Sequence, residues 1–484
     1  MKTKMLLLGL LFASAPSFAA EQPNILLIYV DDMGYGDLGC YGSETKTPNI
    51  DKLAAEGVRF TDYLSACSVC APSRAAVLTG RYPQRCGLPV CPNVKDDPWN
   101  DYVGLPLSEI TMAELLKEKG YATAAFGKWH LGKLDLFGPL KQGFDKYVGS
   151  PWNFPVGKAN EWYHDDEPQG KIRFAQAHQK LTDATIEFMK EQQTVEKPFF
   201  IYLAHYLVHG PWSPNKEFCT DAEWASYQKK KGHINPVVLP AMVRELDYHI
   251  GLVMDSLREL GLEKDTLVVL AADNGPWLPA GSAKPLSGGK YLTMEGGHRV
   301  PAMIRWPERI SAGQVSNEFV SALDILPTIA AATGVSLPTD RKLDGFDLMP
   351  MLVGQVDSSP RQEFVYYNGL TLEAVRMGPW KLHLPRKAAN LVYWAKKKGA
   401  YKNLNHFVLN NLTDDIAEKR DLAKANPEKT AGLEKMAEQT RQELGDWNRD
   451  GSDRPANAYP GHLNTPNFTK KPKALTKEAL GVSD

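Results

Sequence analysis

A chain of 484 residues with 43% apolar and 23% charged residues has ordinary globular usage, which excludes a disordered or fibrous protein and exceeds what one hydrophobic core organises. Its formal net charge of −1 offers no basic field to nucleic acid or an anionic membrane, so an anionic ligand has to be held by local Lys, Arg and His. The six cysteines, Cys40, Cys67, Cys70, Cys86, Cys91 and Cys219, are scattered along the chain and do not frame a small stapled scaffold.

In chain order, Lys2 and Lys4 precede the apolar run Met5 to Ala13, and Ser17-Phe18-Ala19 puts small residues where a signal peptidase cuts. Residues 1–19 read as a cleaved leader, and the mature chain is expected in the periplasm or outside the cell, where disulfides are permitted. A Cys86–Cys91 bridge closing a small loop is one such pairing. No later stretch approaches the ~20 apolar residues of a membrane span.

Five short β-branched or aromatic runs bounded by turn residues predict buried strands: Asn24 to Val30, Ala122 to Phe126, Phe199 to Leu203, Thr266 to Ala271 and Val300 to Trp306. Helical patterns lie between them at Ile50 to Gly57, Leu181 to Glu191, Pro240 to Leu260 and Ser321 to Thr333. The alternation predicts an α/β architecture, a large mostly parallel sheet sandwiched by helices over residues 20–355. Residues 356–447 change texture. Short strands at Glu363 to Tyr367, Glu373 to Met377 and Trp380 to Leu384, then a helix from Glu428 to Leu444, predict a smaller α+β subdomain with an antiparallel sheet. Residues 448–484, with four prolines and no periodicity, predict an extended tail.

Ligands of an open parallel sheet bind beyond the carboxyl ends of its strands. Asp31 and Asp32 follow Val30; Lys128 and His130 follow Phe126; His205 and His209 follow Leu203; Asp273 and Asn274 follow the fourth strand. Asp31, Asp32, Asp273 and Asn274 offer only hard oxygen donors, which suit Ca²⁺ or Mg²⁺. A lone Asp-Asp is ordinarily a solvated turn, but carboxylates gathered from two strand ends repel unless a cation lies among them. Cys70 opens a helical stretch in which Pro72 fits the first turn and Gly80 the end. A helix N-terminus favours an anion, so a plain cysteine there is expected to be an activated thiolate and a cysteine-nucleophile hydrolase is one reading; a buried structural cysteine is another.

Cys70-Ala71-Pro72-Ser73-Arg74 with Leu78-Thr79-Gly80 resembles the signature of the type I, formylglycine-dependent sulfatases of the alkaline-phosphatase-like superfamily. Gly127 to Gly132, Asp273-Asn274-Gly275, Gly288-Gly289-Lys290 with Glu295-Gly296-Gly297, and Asp324 to Thr328 match in family order, across roughly Gln22 to Leu444. The resemblance implies that a formylglycine-generating maturation enzyme oxidises Cys70 to 3-oxoalanine, whose hydrated gem-diol is the nucleophile. It implies that Asp31, Asp32, Asp273, Asn274 and modified Cys70 hold one Ca²⁺, with Mg²⁺ the lesser alternative. Arg74 then steadies the diol, Lys128 and Lys290 grip sulfate oxygens, Asp273 acts as base in the attack, and His130 and His209 handle protons; His209-Gly210-Pro211 matches better than His205.

The alcohol is less legible. Trp99, Trp152, Trp162, Trp212 and Trp277, with His164 and Arg299, lie in loop-like stretches near these motifs, and aromatic faces suit sugar rings. Trp212, Trp277, His298 and Arg299 are the substrate-contact candidates, and His298 equally reads as a tolerated change. With a bacterial-looking leader, the expectation is an exported carbohydrate sulfatase acting on a sulfated polysaccharide such as an algal galactan. A phosphodiester or phosphonate monoester hydrolase of the same superfamily and an inactive glycan-binding protein are the competing readings.

Overall fold

The computed structural model describes residues 22–92, 103–155, 158–230, 235–387 and 403–453; the leader, Trp99 and all but the first residues of the tail lie outside them. The strands, in chain order, are β1 Asn24–Val30, β2 Val58–Phe60, β3 Tyr63–Leu64, β4 Ala122–Gly127, β5 Lys146–Gly149, β6 Asn160–His164, β7 Glu167–Ile172, β8 Phe199–Ala204, β9 Thr266–Ala272, β10 Ala302–Arg305, β11 Gln314–Ser316, β12 Val320–Ser321, β13 Glu363–Asn368, β14 Thr371–Met377, β15 Trp380–His383 and β16 Val408–Asn411.

Ten of these form one sheet, in the order β11-β2-β10-β9-β1-β8-β4-β5-β6-β7. β1, β4, β8 and β9 are buried along their whole length, as strands covered on both faces must be, and with β5 they run parallel. The sheet as a whole is mixed. β10, the fifth expected strand, runs antiparallel to both β9 and β2. A parallel return needs a crossover to the far edge of the sheet, usually a helix. Here residues 273–301 stay at the edge where β9 ends, so the chain re-enters from that edge.

Helices Pro48–Ala55, Phe174–Thr194 and Leu239–Glu259 pack together, and helices Cys70–Thr79, Met112–Glu118 and Ile325–Thr333 form a second group. Ile325–Thr333 is preceded by a single 3₁₀ turn, Ala322–Asp324, inside the expected helix, and stops at Gly334 in the left-handed region. Among the described residues no helix is long and apolar enough to cross a membrane.

β13 to β16 form the smaller antiparallel sheet, with helix Pro427–Leu444 packed against β14 and β15. Its apolar face does not close on itself: Phe364, Tyr366, Leu382 and Leu409 share a cluster with Leu64, Ala76, Phe319 and Leu323 of the larger unit. Helix Cys70–Thr79 thus lies between the two sheets, giving Ala71, Ala75, Val77 and Leu78 to the large core and Ala76 to the small one. That position explains why its middle is rich in alanine.

All six cysteines carry free thiols, so the Cys86–Cys91 bridge is not formed. The Cys86 thiol points instead to the Pro83 carbonyl, 3.7 Å away.

Candidate active site

The parallel strands end level with one another. Tyr29 pairs with Ala204, Val30 with Ala272 and Gly127 with Ala204, so the residues that follow emerge side by side. Gly127, at φ +110°, turns the chain where a Cβ would lie 2.0 Å from the Ala204 carbonyl; a side chain there would displace Lys128. The turn after β1 is fixed by Asp31 N donating to Leu207 O (3.0 Å) and Val208 N donating to Asp31 O (2.7 Å), with Asp32 at φ +60°.

Cys70 is the first residue of its helix, which follows extended Val69 and stops at Gly80 in the left-handed region. Its Sγ lies 3.4 Å from Asp31 Oδ1, 4.0 Å from Asp32 Oδ1 and 3.3 Å from Lys290 Nζ. Burial, and then the Asp31 carboxylate, push the thiol well above its ordinary range. The expected thiolate is therefore corrected, because burial and the adjoining carboxylate favour the neutral thiol.

Lys128 Nζ donates to Asp31 Oδ2 (2.6 Å), Lys290 Nζ to Asp32 Oδ1 (2.5 Å), and Arg74 Nε and Nη2 to Asp273 Oδ2 (3.0 and 2.7 Å). Burial opposes charge on Lys128 and Lys290, but Asp31 and Asp32 outweigh it and raise both ammonium pKa values. Burial and then Asp31 raise the Asp273 carboxyl to about 7. His130 is buried, then flanked by Lys128 and Arg74, and these effects hold it neutral; its Nδ1 has no hydrogen-bond partner and its ring meets Trp152 edge-on. His209 Nε2 lies 3.7 Å from Asp32 Oδ2, and its side chain is 23% exposed.

The side chains gathered here could hold a metal ion. Asp31, Asp32, Cys70 and His209 each offer an atom within 4.8 Å of the others. Asp273 Oδ1 accepts from Asp32 N (3.1 Å), and Asn274 Nδ2 donates to Asp32 Oδ1 (2.8 Å). That leaves the buried Asn274 Oδ1 without any hydrogen-bond partner, an oxygen for which a cation is a suitable occupant.

Of the two histidines after β8, His209 reaches this cluster and His205 does not. The His205 ring stacks on His178 at 5.3 Å and 14°, in a buried group with His249. Beside it, the Glu245 carboxyl accepts from Asn215 Nδ2 (2.7 Å) and lies 3.9 Å from His178 Nε2, with Glu217 the nearest like charge acting on it. Burial raises Glu245 from 4.5 to about 7. A carboxyl raised in the fold contributes stability that is full below about 4.5 and lost as pH rises through about 7. Glu245→Gln keeps the acceptor for Asn215 and is expected to match the wild type at pH 4.5. At pH 8 it is expected to be the more stable by roughly 3 kcal/mol, at 1.36 kcal/mol per pKa unit. Equal melting-temperature differences at both pH values would overturn this.

Several substrate-contact candidates lie elsewhere. His298 is fully buried, with Nδ1 at 3.0 Å from Ser65 O and its ring edge-on to Phe364 and Tyr366, so it packs against the smaller sheet. Arg299 donates to Thr61 O (2.6 Å) and faces Asp62 and Glu295, all within the larger unit. Trp162 is a core residue of β6 packed near Tyr206, and exposed His164 ends that strand. Trp212 and Trp277, three residues past His209 and Asn274, do come together, as a half-buried stack with centroids 4.7 Å apart. The polar residues that hold the Lys290 loop, Asn368, Glu373 and Glu418, escape sequence reasoning because they lie 78 or more positions beyond Lys290 and carry no motif of their own.

A family profile described as Sulfatase matches residues 23–335, and one described as N-sulphoglucosamine sulphohydrolase, C-terminal, matches residues 289–443. The chain is 38% identical over 401 residues to N-acetylgalactosamine-6-sulfatase of Canis lupus familiaris, covering 78% of this chain and 73% of the relative. It is 38% identical over 411 residues to arylsulfatase A of Homo sapiens, covering 78% and 77%. Among solved structures, Ps i-CgsB in complex with k-i-k-neocarrahexaose superposes with a TM-score of 0.73 at 29% identity, over 87% of this chain and 92% of that one. The chain belongs to the sulfatase family and is a sulfuric ester hydrolase.

Proposed function

We propose that the protein is an exported enzyme that removes sulfate from a sulfated poly- or oligosaccharide, using a formylglycine made from Cys70 by a maturation enzyme and one bound Ca²⁺. The observation that carries this reading is the gathering of Cys70, three carboxylates, the unpartnered Asn274 Oδ1, Lys128, Lys290 and Arg74 at one end of four parallel strands. Asp31, Asp32, Asp273 and Asn274 would hold the cation, which would supply charge neutralisation and Lewis acidity at the site. The hydrated aldehyde supplies one oxygen for attack on sulfur and a second whose deprotonation expels sulfate.

The remaining roles fall to side chains already placed. Lys128 and Lys290 bind the anionic sulfate oxygens, whose charge fixed ammonium groups stabilise without reorganisation. Arg74 holds Asp273 through two N–H bonds and fixes that carboxylate beside Asp31 and Asp32. Neutral, buried His130 accepts the proton removed when sulfate is expelled. His209, the more exposed of the two, covers the leaving oxygen with Lys290.

Two findings favour a glycan. The first relatives include a galactosamine 6-sulfatase, and a structural relative was solved with a neocarrahexaose. The half-buried Trp212–Trp277 stack, adjoining Pro276 whose carbonyl holds Lys290 N (2.8 Å), offers aromatic faces of the kind that suit a sugar ring. Trp277→Ala is expected to raise KM for a sulfated oligosaccharide about tenfold, the scale of one aromatic contact, while inhibition by inorganic sulfate changes less than about twofold. The function itself is tested by offering the mature enzyme defined sulfated oligosaccharides and the matching phosphodiesters, with the desulfated position read by NMR. Faster phosphodiester cleavage would sink the sulfatase chemistry; turnover of aryl sulfates alone would sink the glycan.

A further inference from the structure

Lys290 sits on a loop held from two sides, by its own domain next to Lys290 and by the C-terminal subdomain beyond it. Tyr291 lies at φ +74°, a region costly for a bulky residue, so the bend after Lys290 has to be kept from outside. Lys290 N and Tyr291 N are bonded to Pro276 O (2.8 Å) and Ser68 O (3.0 Å). The rest of the loop is gripped from the C-terminal subdomain. Asn368 Nδ2 donates to Tyr291 O (3.3 Å), Thr293 Oγ1 to Glu373 Oε2 (2.7 Å), Ser287 Oγ to Ala417 O (2.6 Å) and Glu295 N to Glu418 Oε2 (2.6 Å).

Behind the loop lies a fully buried ionic cluster. Lys381 Nζ is 2.9 Å from both Glu295 Oε1 and Glu418 Oε1, and lies 3.9 Å above the Tyr366 ring. Tyr366 OH donates to Glu295 Oε1 (2.9 Å), and His383 Nε2 is 2.7 Å from Glu418 Oε1. A buried cluster of this kind costs desolvation that well-packed apolar residues would avoid, so stability is a weak reason for it. What it does provide is geometry. One carboxylate, Glu418, touches both the loop backbone and the ammonium that holds the Glu295 side chain.

We propose that Glu418 is a positioning residue for Lys290: from the C-terminal subdomain it fixes the segment 288–297, so that Lys290 Nζ is held between Asp32 and the Cys70 side chain. The proposal rests on the reading of Lys290 as a sulfate ligand. It makes the smaller sheet part of the catalytic apparatus, although it supplies no atom to the reaction.

The test is a double-mutant cycle on the mature, calcium-loaded full-length enzyme, with kcat/KM for a sulfate ester and hydrogen exchange of residues 288–297 as readouts. Glu418→Gln keeps an acceptor for Glu295 N–H but removes the charge facing Lys381. It is expected to lower kcat/KM by about ten- to a hundred-fold, the range for groups that orient a ligand residue, and to speed exchange in the loop. In a Lys290→Ala background the same change is expected to cost less than about twofold, because the residue it positions is gone. An equal loss in both backgrounds, or unchanged exchange, overturns the proposal. If Glu418→Gln fails to fold, Thr293→Val releases the loop from Glu373 and is read by the same cycle. A wild type without sulfate-ester turnover refutes the proposed function, while the exchange readout still decides the clamp.

Discussion

Cys70→Ala is expected to lower sulfate-ester hydrolysis by about a thousand-fold or more, the scale on which loss of a covalent nucleophile acts, with the melting temperature nearly unchanged. The contrast follows from the placement of Sγ. It is one atom at the start of a helix whose packing is carried by Ala71, Ala75, Val77 and Leu78, and its neighbours are charged groups that remain paired without it. Cys70→Ser is the sharper arm. A hydroxyl fits where Sγ stands 3.3 Å from Lys290 and 3.4 Å from Asp31, so lost activity has no steric cause. In a host unable to modify serine, one hydroxyl can attack sulfur but no second one expels the sulfate, and turnover is expected to stop. Full activity of Cys70→Ser under those conditions refutes the formylglycine nucleophile. The wild-type peptide is expected to have lost its sulfur and gained a carbonyl oxygen, which mass spectrometry reads directly.

Where sequence was sufficient and where it was not follows from the physics of the elements. β1, β4, β8 and β9 are continuous apolar runs because both faces are buried, and polar residues directly after such runs can only sit at the strand ends. The site was legible for that reason. β6 and β7 lie at an edge, and β7 is largely exposed and polar with no period to read, so neither the hairpin nor the place of Trp162 in a strand is legible in the sequence. The direction of β10 depends on where residues 273–301 travel, which no local pattern encodes. His298 has the composition of a ligand contact, and only the distant Phe364 and Tyr366 reveal it as packing. The same distance hides Glu418, 128 positions beyond Lys290.

Removing divalent cations is expected to abolish activity, and calcium is expected to restore it and to tighten inorganic sulfate binding. The argument is one of charge. Asp31 is neutralised by Lys128 at 2.6 Å, Asp32 by Lys290 at 2.5 Å and Asp273 by Arg74 at 2.7 Å, so three carboxylates consume three cationic side chains and none is left over for an anion. A divalent cation among Asp31, Asp32, Asp273 and Asn274 takes over that neutralisation and leaves Lys128 and Lys290 for sulfate. Calcium suits these oxygens better than magnesium, which keeps its waters and demands a tighter octahedron. Linkage then requires calcium and sulfate to strengthen each other by one and the same factor, about 5- to 150-fold for ordinary coupling energies. Calcium at a hundred times its Kd is also expected to add about 2.7 kcal/mol of stability, raising the melting temperature by several degrees. Asp32→Asn should lose most of both effects, since it removes one carboxylate from the site and the partner of Lys290. Sulfate affinity that is equal with calcium and with chelator would show that the lysines are free without a metal, and the charge argument would fail.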